Sequence, residues 1–279
     1  KNTMRKFLIL LTITFSSITI FAADDYVKVL TDFGVNSKSI EVLTNYTKSL
    51  NTDDAKTDLL KAIELDSENY HTYDYLGAIA KSEGHFKAAI DYFKKSIDIF
   101  PNGYIAYQNL GDVYRTLGAY AALEAYGGRV DYDNALKYYN ILIDKHPERY
   151  EGYYGLASIN IVQKKHSEAN KYALLSLEIL DSFDNYTYPR DLEWRSPYIL
   201  DSAKILEMSD YSLGNYQKVI DSFLKYSVIT KKYYSNDDLQ NGTLTQFALA
   251  ANNKITDEKQ KQENDTKFKK LGIITSTSD

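Results

Sequence analysis

Tyr107-Gln-Asn-Leu110-Gly111-Asp-Val-Tyr114 is the stretch on which the reading of this chain turns. Tyr73, Leu76 and Gly77 stand in the places of Tyr107, Leu110 and Gly111, 34 residues earlier. A second set recurs with the same internal spacing: Ala89, Phe93 and Pro101 are answered by Ala135, Tyr139 and Pro147. A period of this length points to an array of small supersecondary units, none of which can bury its apolar face alone.

Each recurring residue has a physical job. Gly77 and Gly111 allow two helices to approach where a larger side chain would hold them apart, and small Ala89 and Ala135 do the same on the second helix. Tyr73, Tyr107, Phe93 and Tyr139 supply the large apolar areas that fill the space between helix pairs. Gly84 is placed to turn the chain between helices. Pro101 and Pro147 end the second helix, because proline cannot continue one. With its aromatic-x2-Leu-Gly-x2-Tyr core and the Ala, aromatic and Pro that follow, the pattern resembles the tetratricopeptide repeat. The resemblance implies an all-α fold, a right-handed superhelix of antiparallel helix pairs, and function on a stacked surface.

Laid along the chain, the 34-residue ruler gives clear repeats at 70–103, 104–149 and 150–183, with weaker ones at 36–69 and 200–233. The second repeat closes late at Pro147, so an insertion of about 12 residues lies near 121–132, and Tyr120 and Tyr132 both compete for the aromatic that opens its second helix. The segment Gly127–Tyr139 is similar to a Sel1-like repeat, a relative with a longer loop between its helices. In the third repeat Tyr153, Leu156, Ala157, Ala169 and Ala173 keep register; in the fourth, Glu207 stands where glycine is expected. The helical-repeat domain is thus expected over 23–255, and the Lys/Glu/Asp/Gln-rich segment 256–279 as a charged, flexible tail.

The chain has 279 residues, 44% hydrophobic and 25% charged, with 26 tyrosines against one tryptophan. Such a composition fits a folded protein. A formal charge of −5, without a Lys/Arg cluster, argues against nucleic acid as partner. Arg5 and Lys6 precede the apolar run Phe7–Phe21, closed by Ala22-Ala23, so residues 1–22 read as a signal peptide. The run is shorter than the roughly 20 apolar residues of a membrane span, and Ser and Thr interrupt it. Export to the periplasm or secreted space without stable membrane insertion is the expectation. With no cysteine, neither a disulfide nor a lipoprotein anchor can form, and packing must hold the fold.

No pattern of residues here carries catalysis or holds a cofactor or metal. His71, His85, His146 and His166 lie apart along the chain, and the acidic pairs fall at helix starts, where they complement the helix dipole. What remains is a binding surface for a protein or peptide. On the first helices of the repeats, the exposed, groove-lining positions are expected to be His71, Asp74, Lys81, Gln108, Asp112, Arg115, Glu151, Tyr154, Ser158 and Lys204. The family's best-known groove grips a peptide carboxylate with Lys, Asn and Arg. Here Asn109 alone matches, and Asp74 and Gly155 stand where basic residues would be. The competing site is an aromatic loop at 182–199, where Tyr186, Tyr188, Trp194 and Tyr198 would stack on carbohydrate or peptidoglycan.

Overall fold

The structure is a computed structural model and describes residues 52–121, 132–182, 191–233 and 242–273. Eleven helices occupy these segments, with no strand among the described residues: α1 (Thr52–Leu65), α2 (Tyr70–Ser82), α3 (Phe86–Ile99), α4 (Tyr104–Ala121), α5 (Asp133–Lys145), α6 (Tyr150–Val162), α7 (His166–Ser182), α8 (Asp191–Ser212), α9 (Tyr216–Tyr233), α10 (Thr243–Asn252) and α11 (Glu258–Lys270). Contacts divide the chain into two compact units, Lys1–Val113 and Tyr114–Asp279. In the first, α2 packs against α1 and α3; in the second, α5 to α10 each pack on the next, and α6 and α10 also touch α8.

Within the first unit, Phe93 of α3 is fully buried and seats its ring on Gly77 of α2. A β-carbon at Gly77 would come 2.6 Å from that ring, closer than atoms can pack. In the second unit the fully buried Tyr139 of α5 covers Gly155 of α6 in the same way, and Ala157 meets its own small partners Ala169 and Ala173. Tyr132 is buried at the start of α5, beside Ala135, Tyr139 and Leu156, and so takes the opening aromatic place for which Tyr120 competed. Residues 122–131, with the first five residues of the Sel1-like segment, lie outside the described residues.

The hairpin turns share one geometry with different chemistry. After α2, the His85 N–H reaches the Ala80 carbonyl at 2.8 Å and the Gly84 N–H reaches that of Lys81 at 3.1 Å. The turns after α6 and α8 repeat both bonds, from Lys165 to Asn160 and from Asn215 to Asp210, with Lys164 and Gly214 in the Gly84 role. This helix-ending motif puts one residue in the left-handed region. Gly84 and Gly214 sit there at φ 76° and 80°, and Lys164 sits there at 59° with a side chain.

Two sequence expectations are corrected. Residues 191–199 belong to α8 rather than to a loop: the helix carries Pro197 on its exposed side, while Ile199 and Leu200 are buried. The tail beyond 256 is not all flexible, because α11 is capped by Asp257, whose Oδ1 accepts from the Gln260 N–H at 3.1 Å. Its Phe268 is fully buried, 5.8 Å from the Phe223 ring. Its Asn264 is equally buried and donates to Gln217 Oε1 and Asn252 Oδ1, both at 3.1 Å. A strongly polar helix is thereby held by two buried side chains.

Two buried carboxyl groups cut against this packing. Asp74 on α2 is 3% exposed, and its Oδ1 has no hydrogen-bond partner among the described residues. Burial raises its pKa to about 7, against a smaller downward pull from the Ser96 hydroxyl. Glu207 on α8 is fully buried with neither oxygen bonded. Burial, and then the nearby Asp210, push its pKa well above the ordinary value.

Three outcomes are expected. Gly77→Ala drives a β-carbon into the Phe93 ring and should cost about 1–3 kcal/mol in urea unfolding. Lys164→Gly relieves a left-handed side chain whose strain is roughly 1–2 kcal/mol, and net of glycine's greater unfolded freedom it should stabilise by about 0.5–1 kcal/mol. Asp74 has a folded pKa near 7 and an unfolded one near 3.9. Between those values the folded chain keeps a proton that the unfolded chain has released, so stability is greatest below the window and falls as pH rises through it. For this one group the loss should be on the order of 4 kcal/mol and level off above the window. In Asp74→Asn, denaturation at about pH 5 and pH 7.5 should show a shallower fall than in the parent.

Candidate functional site

The first helix of each pair was expected to present the binding surface, and the residues named for it fall on α2 and α4 in the first unit and on α4, α6 and α8 in the second. In the first unit, α2 contributes His71, Asp74 and Lys81, and α4 contributes Gln108 and Asp112. His71 is half-buried against the Tyr70 ring, with centroids 4.0 Å apart, and burial lowers its pKa to about 4, leaving a neutral imidazole. Lys81 donates to Asn109 Oδ1 at 2.5 Å and lies 4.0 Å from Asp112 Oδ2, all three groups being half-buried. Gln108 lies half-buried one residue before Asn109. Lys81, Gln108 and Asp112 therefore form a compact polar patch across α2 and α4.

Asp74 leaves this surface. The sequence reading exposes it, but the structure turns it inward under α3, because its helix buries almost every side chain from Thr72 to Gly77. Asn109 is engaged within the fold: its Oδ1 accepts from Lys81 and one Nδ2 hydrogen goes to the Ile105 carbonyl at 3.0 Å.

In the second unit, Arg115 is half-buried and donates Nε to the hydroxyl of Tyr139 at 3.2 Å. It thus steadies the ring that covers Gly155, so its role is structural as well as superficial. Glu151 is corrected in the same manner as Asp74. It is 5% exposed and forms a two-pronged ion pair with Arg149, Nε to Oε2 at 3.1 Å and a second bond from the other guanidinium nitrogen to Oε1. A paired, buried carboxylate at a helix start is a packing element, and breaking it would strand a charge. Tyr154 remains at the surface, half-buried, with Ser158 donating to its carbonyl at 2.9 Å. Lys204 of α8 holds Asp201 at 3.1 Å, and both side chains are close to half exposed.

Of the aromatic segment, Tyr186 and Tyr188 lie outside the described residues, and Trp194 lies in the first turn of α8. Tyr198 is described, and it is committed to packing. Its ring is tilted against Tyr150 at 5.2 Å and meets Tyr154 edge-on at 6.4 Å, joining α8 to α6. Three tyrosines from two first helices thus make one aromatic cluster, with Tyr150 buried and Tyr154 and Tyr198 half-buried. The sequence signal for it was present: Tyr198 falls just before the fourth repeat begins, where the ruler places the start of a packing helix. Among the described residues no cluster of three His, Cys, Asp or Glu could hold a metal, and no helix is long and apolar enough to cross a membrane.

Tetratricopeptide repeat families match this chain over residues 70–102 and 120–185. The second match begins before the insertion and runs through the third repeat. Among solved structures, a tetratricopeptide repeat protein from Parabacteroides merdae ATCC 43184 is 14% identical, covers 85% of this chain and 80% of its own, and superposes with a TM-score of 0.52. MamA protein is 19% identical over 74% of this chain and 91% of its own, at 0.49. A thermophilic repeat protein of Thermus thermophilus is 16% identical over 82% and 98%, at 0.48. No curated protein matches the sequence. At such identities the likeness to the Parabacteroides protein is one of fold. Family match and hairpin geometry agree: the chain is a tetratricopeptide-repeat protein, and its repeats are those of a protein-interaction scaffold.

Proposed function

We propose that this chain is a non-catalytic scaffold of the cell envelope or secreted space that binds a protein or peptide through the first-helix faces of its repeats. The observation that carries the reading is the Lys81, Gln108 and Asp112 patch on α2 and α4. These are half-buried polar side chains, and the ion pair between Lys81 and Asp112 is long, at 4.0 Å. Lys81 also donates to Asn109 Oδ1 at 2.5 Å, so a partner's charged or amide group would take over polar contacts of this half-exposed patch rather than fill empty ones. In the second unit, Tyr154 offers a rigid aromatic face of the kind that anchors interfaces. Export rests on the sequence of residues 1–22, which lie outside the described residues.

The carbohydrate reading is weakened by the structure's own use of its residues. A sugar platform needs a ring face open to solvent, and the half-buried Tyr198 ring is packed at a tilt against Tyr150 and at a right angle to Tyr154.

The test begins with protein exported by the source cell, whose amino terminus should lie near Ala23 by intact mass. Crosslinking of the purified chain in envelope extract, followed by calorimetry with the identified partner, measures the site. Lys81→Ala, Gln108→Ala and Tyr154→Ala should each weaken binding about five- to thirtyfold, a loss of roughly 1–2 kcal/mol. The first two should leave the melting temperature near the parent's; Tyr154→Ala should lower it modestly, through Tyr198. Arg115→Ala is a poor probe, since it frees the Tyr139 hydroxyl. Binding that survives all three changes and fails only in Trp194→Ala would move the site to 182–199.

A further inference from the structure

Each hairpin reverses the chain, so α6, α8 and α10, which lie side by side, end on one edge of the second unit. Ring contacts between Tyr154 and Tyr198 at 6.4 Å and between Tyr211 and Phe247 at 5.7 Å hold the three helices in step. The edge is built of three successive turns, at 163–165, 213–215 and 253–257, and of the first turns of α7, α9 and α11. Five exposed lysines stand on it: Lys164, Lys165, Lys218, Lys254 and Lys259. None of the five pairs with a carboxylate among the described residues. The exposed carboxylates there are Glu168, Asp257 and Glu258, and Asp257 is engaged in capping α11. A cationic edge on a chain whose formal charge is −5 runs against the composition. The matching turn of the first unit is closed on itself: Glu83 accepts from Lys56 at 3.2 Å and lies 3.1 Å from His85 Nδ1.

Two further features mark the apices of this edge. Lys164 holds the left-handed position, at φ 59°, that Gly84 and Gly214 take in the matching turns. A side chain is disfavoured there, and strain of this kind is retained at sites of contact more than elsewhere. Beside it Val162 is 62% exposed, in the place that Ser82 and Ser212 hold in the matching turns. Leu213, on the next apex, is 45% exposed. Aliphatic side chains on protruding turns, flanked by unpaired lysines, suit a soft anionic surface. The aliphatics enter a headgroup layer while the ammonium groups stay level with the phosphates. A folded acidic protein would need a pocket matched to each apex, whereas a bilayer yields to both.

We propose that this edge docks the protein reversibly on an anionic bilayer, with Val162 and Leu213 in the headgroup layer and the lysines against lipid phosphates. The contact is peripheral, made by turns. Each lysine held near such a surface strengthens adsorption about fivefold, and the attraction fades within a Debye length of about 8 Å at physiological salt. The Lys81 patch belongs to the first unit, so the proposal stands whether or not that patch binds a partner.

The chain from Ala23 onward contains every described helix and lacks the apolar run of 7–21, so its adsorption reports on the folded part. It should float with vesicles of phosphatidylcholine and phosphatidylglycerol in equal parts, stay behind with phosphatidylcholine alone, and be released in about 0.5 M salt. Lys164→Gly relaxes its turn, so it cannot act by unfolding, and it should weaken adsorption about fivefold. Adding Lys165→Gln should bring the loss to about twenty-five-fold. Val162→Ser, which installs the residue of the matching turns, should weaken adsorption several-fold. Lys231→Gln and Val228→Ser lie toward the far end of α9, where Lys231 is exposed and Val228 is 63% exposed, and both should adsorb like the parent. The proposal is overturned by no flotation with the anionic vesicles, by equal flotation with phosphatidylcholine alone, or by a loss in Lys231→Gln equal to that in Lys164→Gly. Polyglutamate bound through Lys164 by protein that does not float would also overturn it, and would make the edge a dock for an acidic protein.

Discussion

Everything in this fold depends on one contact, an aromatic ring on one helix seated where a neighbouring helix has no side chain. Phe93 on Gly77 is its plainest form, and Tyr139 over Gly155 repeats it with a hydroxyl that Arg115 holds. The contact fixes the distance between helices, because the ring's thickness replaces a β-carbon. It also fixes register, since sliding one helix by a residue would bring a side chain under the ring. Phe93 and Tyr139 are fully buried, and a side chain of that size contributes roughly 1.5–3 kcal/mol through burial. Removing the gap therefore costs more than the atoms added suggest.

The fourth hairpin solves the same problem differently. Glu207 lies 16 residues before Phe223, as Gly77 lies 16 before Phe93, yet it carries a carboxyl and is completely buried. A charged carboxylate without a partner is costly there, and burial accordingly raises the pKa of the group well above its ordinary value. Here α8 gains support from α6, α7, α9 and α10, and its buried Ala203 and Leu206 carry the packing that a glycine contact supplies elsewhere. Asp74 is the first unit's counterpart, a buried carboxyl with one oxygen unbonded. Both units thus give up stability to a buried acid whose charged form burial disfavours.

The repeats were legible because their signature residues act locally, at fixed spacing, through size. Gly77, Leu76, Phe93 and Pro101 need no distant information to be recognised. The positions that misled depend on what packs around them. Asp74 and Glu151 occupy first-helix places that read as exposed, but the first is covered by α3 and the second is drawn inward by Arg149 two residues away. Pro197 reads as a breaker, although its ring faces outward on α8 while Ile199 and Leu200 bury the other side. The tail misleads for a compositional reason. Charge dominates α11, and only Asn264 and Phe268, four residues apart on one face, reveal that it docks. Averages over a segment hide so narrow an anchor.

The candidate surfaces differ in how far the chain satisfies its own polar groups. Around Glu151 the bonds are internal, and both carboxylate oxygens are taken by Arg149. At Lys81 and Asp112 the pairing is long and half-exposed. A protein surface advertises binding where its own hydrogen bonding stops short, and a long, half-exposed pair does so more than a buried, two-pronged one. A partner at the Lys81 patch would have to displace Lys81 from Asn109 as well as from Asp112, so what it gains is the difference between polar contacts of similar strength, which favours rapid, reversible association.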